Sequence, residues 1–220
     1  MTRIVSPIRT GDGSLTLTWG NEHYHSVNGA VAESTHVFIK HGLEARGLTH
    51  ADVLEVGLGT GLNLLLTWVR CLEGKLTADY TALEPFPLPA SVLNELRHCD
   101  DLAWPGLHEP FMERMTATTA EWHEALGGLR FRRLAERVQD YDVREAHDVI
   151  YFDAFAPQHQ PEMWTADVFA RMHQALRPGG ALVTYCAKGE VRRTMQSVSF
   201  SVERLQGPPG KREMLRATRS

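Results

Sequence analysis

Cysteine is scarce in this sequence. The three present, Cys71, Cys99 and Cys186, are widely separated and odd in number. That argues against a disulfide framework or a zinc knuckle, which need paired thiols, and for reduced thiols inside a cell. Long apolar runs are missing too, and the opening MTRIVSPIRTGDGS has no continuous apolar core of a secretory signal. A cytoplasmic protein with no membrane contact is therefore expected. There are no internal repeats and no low-complexity tracts. A strong charge of either sign is absent, since the formal net charge of -4 argues against a generic nucleic-acid binder. What remains is ordinary globular material, 43% hydrophobic and 23% charged over 220 residues, enough for one domain with a small appendage and a full core.

The charge is unevenly spread. Residues 188–220 hold eight basic side chains against three acidic ones, net +5, so residues 1–187 carry -9. Such asymmetry fits an anionic partner over the C-terminal part of the fold, or simply a solvated basic surface.

Residues 1–50 read as an extension made of a hairpin and a flap. Asp12-Gly13 is a hairpin signal between a segment around Ile4 to Ile8 and the alternating LTLTW of Leu15 to Trp19. Polar chemistry then crowds into His23, Tyr24, His25, Ser26, Glu33, Ser34 and His36 before a helix-like VFIKHGL. His23 and His25 with Glu33 or His36 resemble a metal set, but nothing later completes it, so no metal is expected.

From residue 51 to 220 strands and helices alternate. Strands are expected over Asp52 to Val56, Asp79 to Glu84, Leu129 to Leu134 (as a third strand or an exposed edge), Asp148 to Phe152 and Ala181 to Cys186. Helices are expected from Leu62 onward and over Pro87 to His98, Glu113 to Leu126, Pro161 to Leu176 and Lys188 to Val198. Met115, Trp122 and Leu126 would face the core, and RPGG would break the chain before the strand at Ala181. FSVERL and KREMLRATR, joined by GPPG, read as an antiparallel edge pair. The fold class is α/β, a Rossmann-like, mostly parallel doubly wound sheet with that antiparallel C-terminal pair and the small N-terminal extension. Ligands of such sheets bind at the carboxyl ends of the strands.

The most informative stretch is DVLEVGLGTGLNLLL, Asp52 to Leu66, a strand, a glycine turn and a helix start. Gly57, Gly59 and Gly61 are evenly spaced, unlike a dinucleotide fingerprint, and no Gly-Lys-Ser/Thr follows, which excludes a P-loop. Acidic-x-Gly-x-Gly-x-Gly at a strand end resembles the first motif of S-adenosylmethionine methyltransferases. That ligand lacks a pyrophosphate and carries a sulfonium and an ammonium, which suit carboxylates such as Glu55 and Asp153. Glu84 lies 23 residues after Gly61 at the end of the second strand, placed to accept ribose hydroxyls or else to lead into Pro85. Glu136 and Asp140 are the adenine-side candidates.

DAFAPQHQPEMWT, Asp153 to Thr165, follows the buried strand DVIYF. With HYHSVNGAVAES, TYCAKGEVRR and GPPGKREML, it resembles the tRNA 5-methylaminomethyl-2-thiouridine methyltransferases, the methyltransferase half of MnmC and its stand-alone form MnmD. The resemblance covers almost the whole chain. It departs from the family only after the third strand, where AERVQD blurs the acidic position.

It implies transfer of a methyl group from S-adenosylmethionine to the 5-aminomethyl group of the wobble 2-thiouridine in tRNA. Cofactor contacts are implied at Glu55, Gly57, Gly59, Gly61, Asn63, Glu84, Glu136 and Asp153, and substrate contacts at Tyr24, Glu33, Phe155 and Trp164. Trp164 is either pocket wall or core. Asp153 either takes the amine's proton or orients the amine. Lys188, Arg192, Arg193, Lys211 and Arg212 are the expected phosphate contacts. A length of 220 residues leaves no room for the flavin-dependent domain of MnmC, so a stand-alone enzyme without flavin is expected, served by separate enzymes that supply the aminomethyl precursor. Alternatives are an aminopropyltransferase of the spermidine-synthase type and a non-catalytic tRNA-binding module. A nicotinamide oxidoreductase is disfavoured by the glycine spacing.

Overall fold

In chain order the strands are β1 (Val5–Arg9), β2 (Leu15–Trp19), β3 (Glu22–His23), β4 (His50–Val56), β5 (Thr77–Leu83), β6 (His123–Ala125), β7 (Leu129–Leu134), β8 (His147–Phe152), β9 (Leu176–Thr184), β10 (Phe200–Gln206) and β11 (Glu213–Arg219). The helices are α1 (Ala30–Ser34), α2 (Leu62–Leu72), α3 (Ala90–Leu96), α4 (His98–Asp101), α5 (His108–Thr116), α6 (Ala166–Ala175) and α7 (Gly189–Ser197), with a π-helical run over Thr35–Leu43. This computed structural model describes residues 5–20, 22–117 and 120–220. Ile4 of the expected first strand, Asn21, and Thr118 and Thr119 of the helix expected over Glu113 to Leu126 lie outside the described residues.

Eight strands form one sheet in the order β10-β11-β9-β8-β4-β5-β7-β6, and β1 to β3 form a separate small antiparallel sheet. The pairs β9-β8, β8-β4, β4-β5 and β5-β7 are parallel. β11 and β10 add antiparallel strands at one edge, as expected for FSVERL and KREMLRATR, and β6 adds one at the other. Strand order reverses between β4 and β8, so the crevice of this sheet opens at their carboxyl ends.

Period-two alternation along the central strands divides the core. Val53, Tyr80, Phe131, Val149 and Tyr151 face one side, beneath α2, α5 and the π-helical run. Leu54, Val56, Leu83, Ile150 and Phe152 face the other, beneath Val168, Phe169 and Met172 of α6 and Val191 and Met195 of α7. Leu62, Leu64, Leu65, Leu66, Trp68 and Val69 of α2 are all buried, because the helix is enclosed by the sheet on one side and the N-terminal segment on the other. Each such side chain contributes roughly 1.5–3 kcal/mol of burial.

Three elements differ from the sequence reading. The helix expected over Glu113 to Leu126 ends at Thr116, and β6 pairs with β7 instead. Thr116, Thr118 and Thr119 are β-branched and extend a helix poorly, while a short edge strand satisfies the backbone. Trp122 consequently leaves the core: it is 37% exposed, with the guanidinium carbons of Arg130 and Arg132 at 5.0 and 4.4 Å from its ring centroid. Leu126 is likewise 63% exposed. RPGG does not precede a strand but lies inside β9, absorbed where the pairing register with β8 shifts between His147 and Val149. The helix expected from Pro161 begins at Ala166, capped by Thr165, whose hydroxyl accepts from the Val168 N–H at 3.4 Å.

His98 is 3% exposed, and neither of its ring nitrogens has a partner among the described residues. Burial pushes its pKa down from 6.5 to about 4. A histidine depressed in the fold contributes stability that is full above 6.5 and is lost as pH falls toward the folded value. Between pH 7 and pH 5 the stability difference between wild type and His98→Leu should therefore move in the variant's favour by about 2 kcal/mol, read from urea midpoints at each pH.

Candidate active site

The glycine turn and Asp153 meet at the switch point. Gly57 leaves β4 with φ +89, and Asp153 leaves β8 with its N–H donating to the Val56 carbonyl at 3.0 Å. A Cβ on Gly57 would stand 2.7 Å from the Asp153 carbonyl oxygen, so only glycine permits the two strand ends to approach so closely. Beyond them opens a cavity of about 360 Å³ lined by Gly57, Gly59, Thr60, Glu84, Phe86 and Asp153 among others.

Toward one end, Glu84 is fixed by two backbone donors. The Gly59 N–H reaches its Oε2 at 3.2 Å and the Phe86 N–H its Oε1 at 2.9 Å. Glu136, Val138 and Gln139, after β7, line this cavity as well, whereas Asp140 does not. Phe86, 58% exposed, adds an aromatic face to the lining.

Around Asp153, Tyr24, Glu33, Phe155, Tyr185 and Lys211 also line the cavity. The Tyr24 ring packs edge-on against Phe155 at 5.0 Å. Burial, reinforced by repulsion from Glu33, raises Asp153 to about 7, against the Asn63 hydrogen bond and the Lys211 charge that pull it down. A carboxylate so placed binds and releases a proton near neutrality.

Glu55 and Asn63, expected as direct cofactor contacts, stand behind the cavity wall. Alternation puts Glu55 on the same face of β4 as Val53, under α2, where it is 0% exposed. Its Oε1 accepts from Asn63 Nδ2 at 2.8 Å and its Oε2 from the Tyr80 hydroxyl at 2.8 Å. The same Asn63 nitrogen donates to Asp153 Oδ2 at 2.9 Å. Burial first, and repulsion from Asp153 and Glu84, push Glu55 well above the usual carboxylate range. Glu55 and Asn63 thus form the support that aims Asp153. Gly61 is also off the cavity, packed at the head of α2 against Phe111 and Met115.

The other expected residues divide between core and surface. Trp164 takes the core reading: it is buried against Phe152 and Phe169, and its Nε1–H donates to the Phe155 carbonyl at 2.9 Å. It holds the loop that carries Phe155. Lys188 is exposed and its Nζ donates to Gln158 Oε1 at 2.7 Å. Arg192 reaches Gln196 at 3.3 Å, while Arg193 and Arg212 are exposed. Lys211 departs from this group. The GPPG turn carries it inward, where its ammonium pairs with Glu33 and lies 4.1 Å from the Tyr185 ring centroid.

Tyr185, Phe86 and Gln139 were missed by sequence reasoning. The signal for Tyr185 was its position just beyond the carboxyl end of a parallel strand. His25 bonds Thr16, Glu33 pairs with Lys211, and His36 contacts the Gln206 carbonyl. His50, Asp52 and Asp79 cluster with metal-like spacing, but at the amino ends of β4 and β5, where Asp52 and Asp79 are ion-paired to Arg177 and Arg130.

These residues fit S-adenosylmethionine. The Gly57–Gly59 backbone allows close approach, Glu84 is held rigidly at the end of β5, and carboxylates on the lining suit a ligand carrying a sulfonium and an ammonium.

The family described as S-adenosyl-L-methionine-dependent methyltransferase matches residues 112–220. The tRNA 5-methylaminomethyl-2-thiouridine biosynthesis bifunctional protein MnmC of Idiomarina loihiensis is 32% identical over 211 residues, covering 87% of this chain and 34% of that protein. The MnmC protein of Cupriavidus necator is 31% identical, covering 94% of this chain and 33% of its own length. The chain thus spans about a third of the length of these relatives. Among solved structures, MnmC2 from Aquifex aeolicus superposes with a TM-score of 0.77 at 25% identity, over 98% of this chain and 70% of that one. Spermidine synthase from Thermotoga maritima superposes with a TM-score of 0.60 at 13% identity, over 98% of this chain and 69% of that one, a likeness of fold alone. No helix among the described residues is long and apolar enough to cross a membrane.

Proposed function

We propose that the chain N-methylates the 5-aminomethyl group of the wobble 2-thiouridine in tRNA, because residues 112–220 match the S-adenosyl-L-methionine-dependent methyltransferase family and MnmC proteins are among its relatives. The observation that carries this reading is Asp153: a carboxylate raised to about 7, on the wall of the cavity that opens at the glycine turn.

When bound, S-adenosylmethionine supplies an electrophilic methyl group on a sulfonium. Glu84 is the residue that would hold the ribose, Glu136 and Gln139 would face the adenine, and the Gly57–Gly59 backbone would let the ligand lie close. The acceptor amine near pKa 10 is mostly protonated at pH 7, so a group must take its proton before nitrogen can attack. Asp153, aimed by Asn63, accepts that proton on its carboxylate. Tyr24 and Phe155 offer aromatic faces to an unstacked base, and Trp164 fixes Phe155 from behind. Orientation of amine against methyl supplies much of the rate in such a displacement.

The test is incubation with labelled S-adenosylmethionine and tRNA bearing the aminomethyl precursor, beside a control lacking the aminomethyl group. Label on the first alone is expected. Aminopropyl transfer to putrescine from decarboxylated S-adenosylmethionine, with no methylation of the tRNA, would instead establish the aminopropyltransferase.

Lys188, Arg192, Arg193 and Arg212 are the phosphate contacts of this reading. Arg193→Ala combined with Arg212→Ala should weaken tRNA binding about tenfold or more at low salt, and reduce the slope of log affinity against log salt by about 1.5. Filter binding over a salt series reads both.

A further inference from the structure

Lys211 sits where three parts of the chain converge. Glu33 comes from α1, Lys211 from the turn between β10 and β11, and Tyr185 from the end of β9. Its ammonium pairs with the nearly buried Glu33 and lies over the Tyr185 ring, whose hydroxyl donates to the Ala154 carbonyl at 2.9 Å beside Asp153. The second Glu33 oxygen accepts from the Ser26 N–H at 2.7 Å. A phosphate contact presents its charge outward, whereas this lysine, half-buried on the cavity wall, is paired to a carboxylate of its own chain.

We propose that Lys211 is a positioning residue of the methyl transfer: by neutralising Glu33, it leaves Asp153 as the one uncompensated carboxylate that meets the acceptor amine at this end of the cavity. The proposal rests on amine methylation as the reaction. Two uncompensated carboxylates around an ammonium would hold it charged and oppose the proton loss that nitrogen needs before attack. With Lys211 in place the local sum is one negative charge. The proton then passes from the acceptor ammonium to the Asp153 carboxylate, and the freed lone pair is available to carbon.

The groups facing Asp153 are few. Glu33 comes from α1 and Lys211 from the C-terminal turn. Asn63 comes from α2, with Glu55 and Tyr80 behind it, and Tyr185 from β9. Glu22 on β3 lines the same cavity but is paired with His159 at 2.7 Å, and Glu84 is engaged by backbone. Of these, Glu33 raises and Lys211 lowers the Asp153 carboxyl.

The test is the pH profile of methyl transfer in a set of charge variants. Lys211→Met should move the acid limb up by about one pH unit and lower kcat at pH 7 by about fivefold. KM for tRNA and its salt dependence should stay put, and Lys211→Arg should restore the limb. Glu33→Gln should move the limb down. The double variant, neutral at both positions, should return it toward wild type, and Glu33→Gln carries the test if Lys211→Met alone does not fold. A limb that stays at its wild-type pH in Lys211→Met or in Glu33→Gln, or a raised KM for tRNA with a flattened salt slope, would overturn the assignment. A wild type inactive on aminomethyl tRNA would overturn the underlying reaction instead.

Discussion

Asp153→Asn is expected to lower kcat for methyl transfer by about 10³-fold while making the protein more resistant to unfolding at pH 8. Both effects have one cause. In the fold the Asp153 carboxyl is raised to about 7 by burial first and by Glu33 second, from an ordinary 3.8. Between those two values the folded state binds a proton that the unfolded state does not, so stability falls as pH climbs through that window, and above pH 7 the full cost is carried. An upward shift of three units corresponds to at most about 4 kcal/mol, reduced by the part of the carboxyl open to the cavity. Asparagine keeps an oxygen for the Asn63 Nδ2 donor but carries no charge to desolvate. At about 2–4 °C per kcal/mol, the midpoint at pH 8 should rise by roughly 3–8 °C, and this gain should vanish near pH 4. Calorimetry at the two pH values checks the sign. A residue that raises activity while lowering stability is expected where a function needs a desolvated charge.

Gly57→Ala should abolish cofactor binding and destabilise the fold by about 2–4 kcal/mol. The added Cβ meets backbone, the Asp153 carbonyl oxygen at 2.7 Å, at a residue held at φ +89, so neither partner can yield without parting β4 from β8. Gly61→Ala is the contrast. Its φ of +77 is also unfavourable, but the Cβ meets side chains rather than backbone, the flexible thioether of Met115 and the ring edge of Phe111 at 2.9 Å, which must shift with it. Its cost should be about 1–2 kcal/mol, with cofactor binding retained. Thermal shifts with and without S-adenosylmethionine separate the two. Gly57→Ala should show no ligand-induced shift, and Gly61→Ala one close to that of wild type.

Much of the site was legible in the sequence because its signals are local. The glycines after β4, Glu84 after β5 and Asp153 after β8 each follow an apolar β-prone run, and parallel topology puts such ends together. The depth of Glu55 was legible only in part. Alternation shows that it shares a face with Val53, but which face α2 covers is set by the crossover, which is a tertiary fact. The pairing of Lys211 was not legible for a related reason. Its charge sits in a basic segment, and its partner Glu33 is 178 residues away, so composition shows the charge but not the inward turn between β10 and β11 that joins the two. The stretch after α5 failed at the level of propensity. MTATTAEWHEAL has three helix-compatible apolar positions but a threonine cluster, and pairing with β7 decides the outcome.

The most direct measurement is mass spectrometry of nucleosides from tRNA bearing the aminomethyl precursor, after incubation with the protein and S-adenosylmethionine, run in parallel with the Asp153→Asn protein. The expected result is one methyl group gained on the exocyclic nitrogen of the wobble 2-thiouridine with wild type and almost none with the variant, at equal tRNA binding. A methyl group elsewhere in the tRNA, or equal conversion by both proteins, would contradict amine methylation with Asp153 as the proton acceptor.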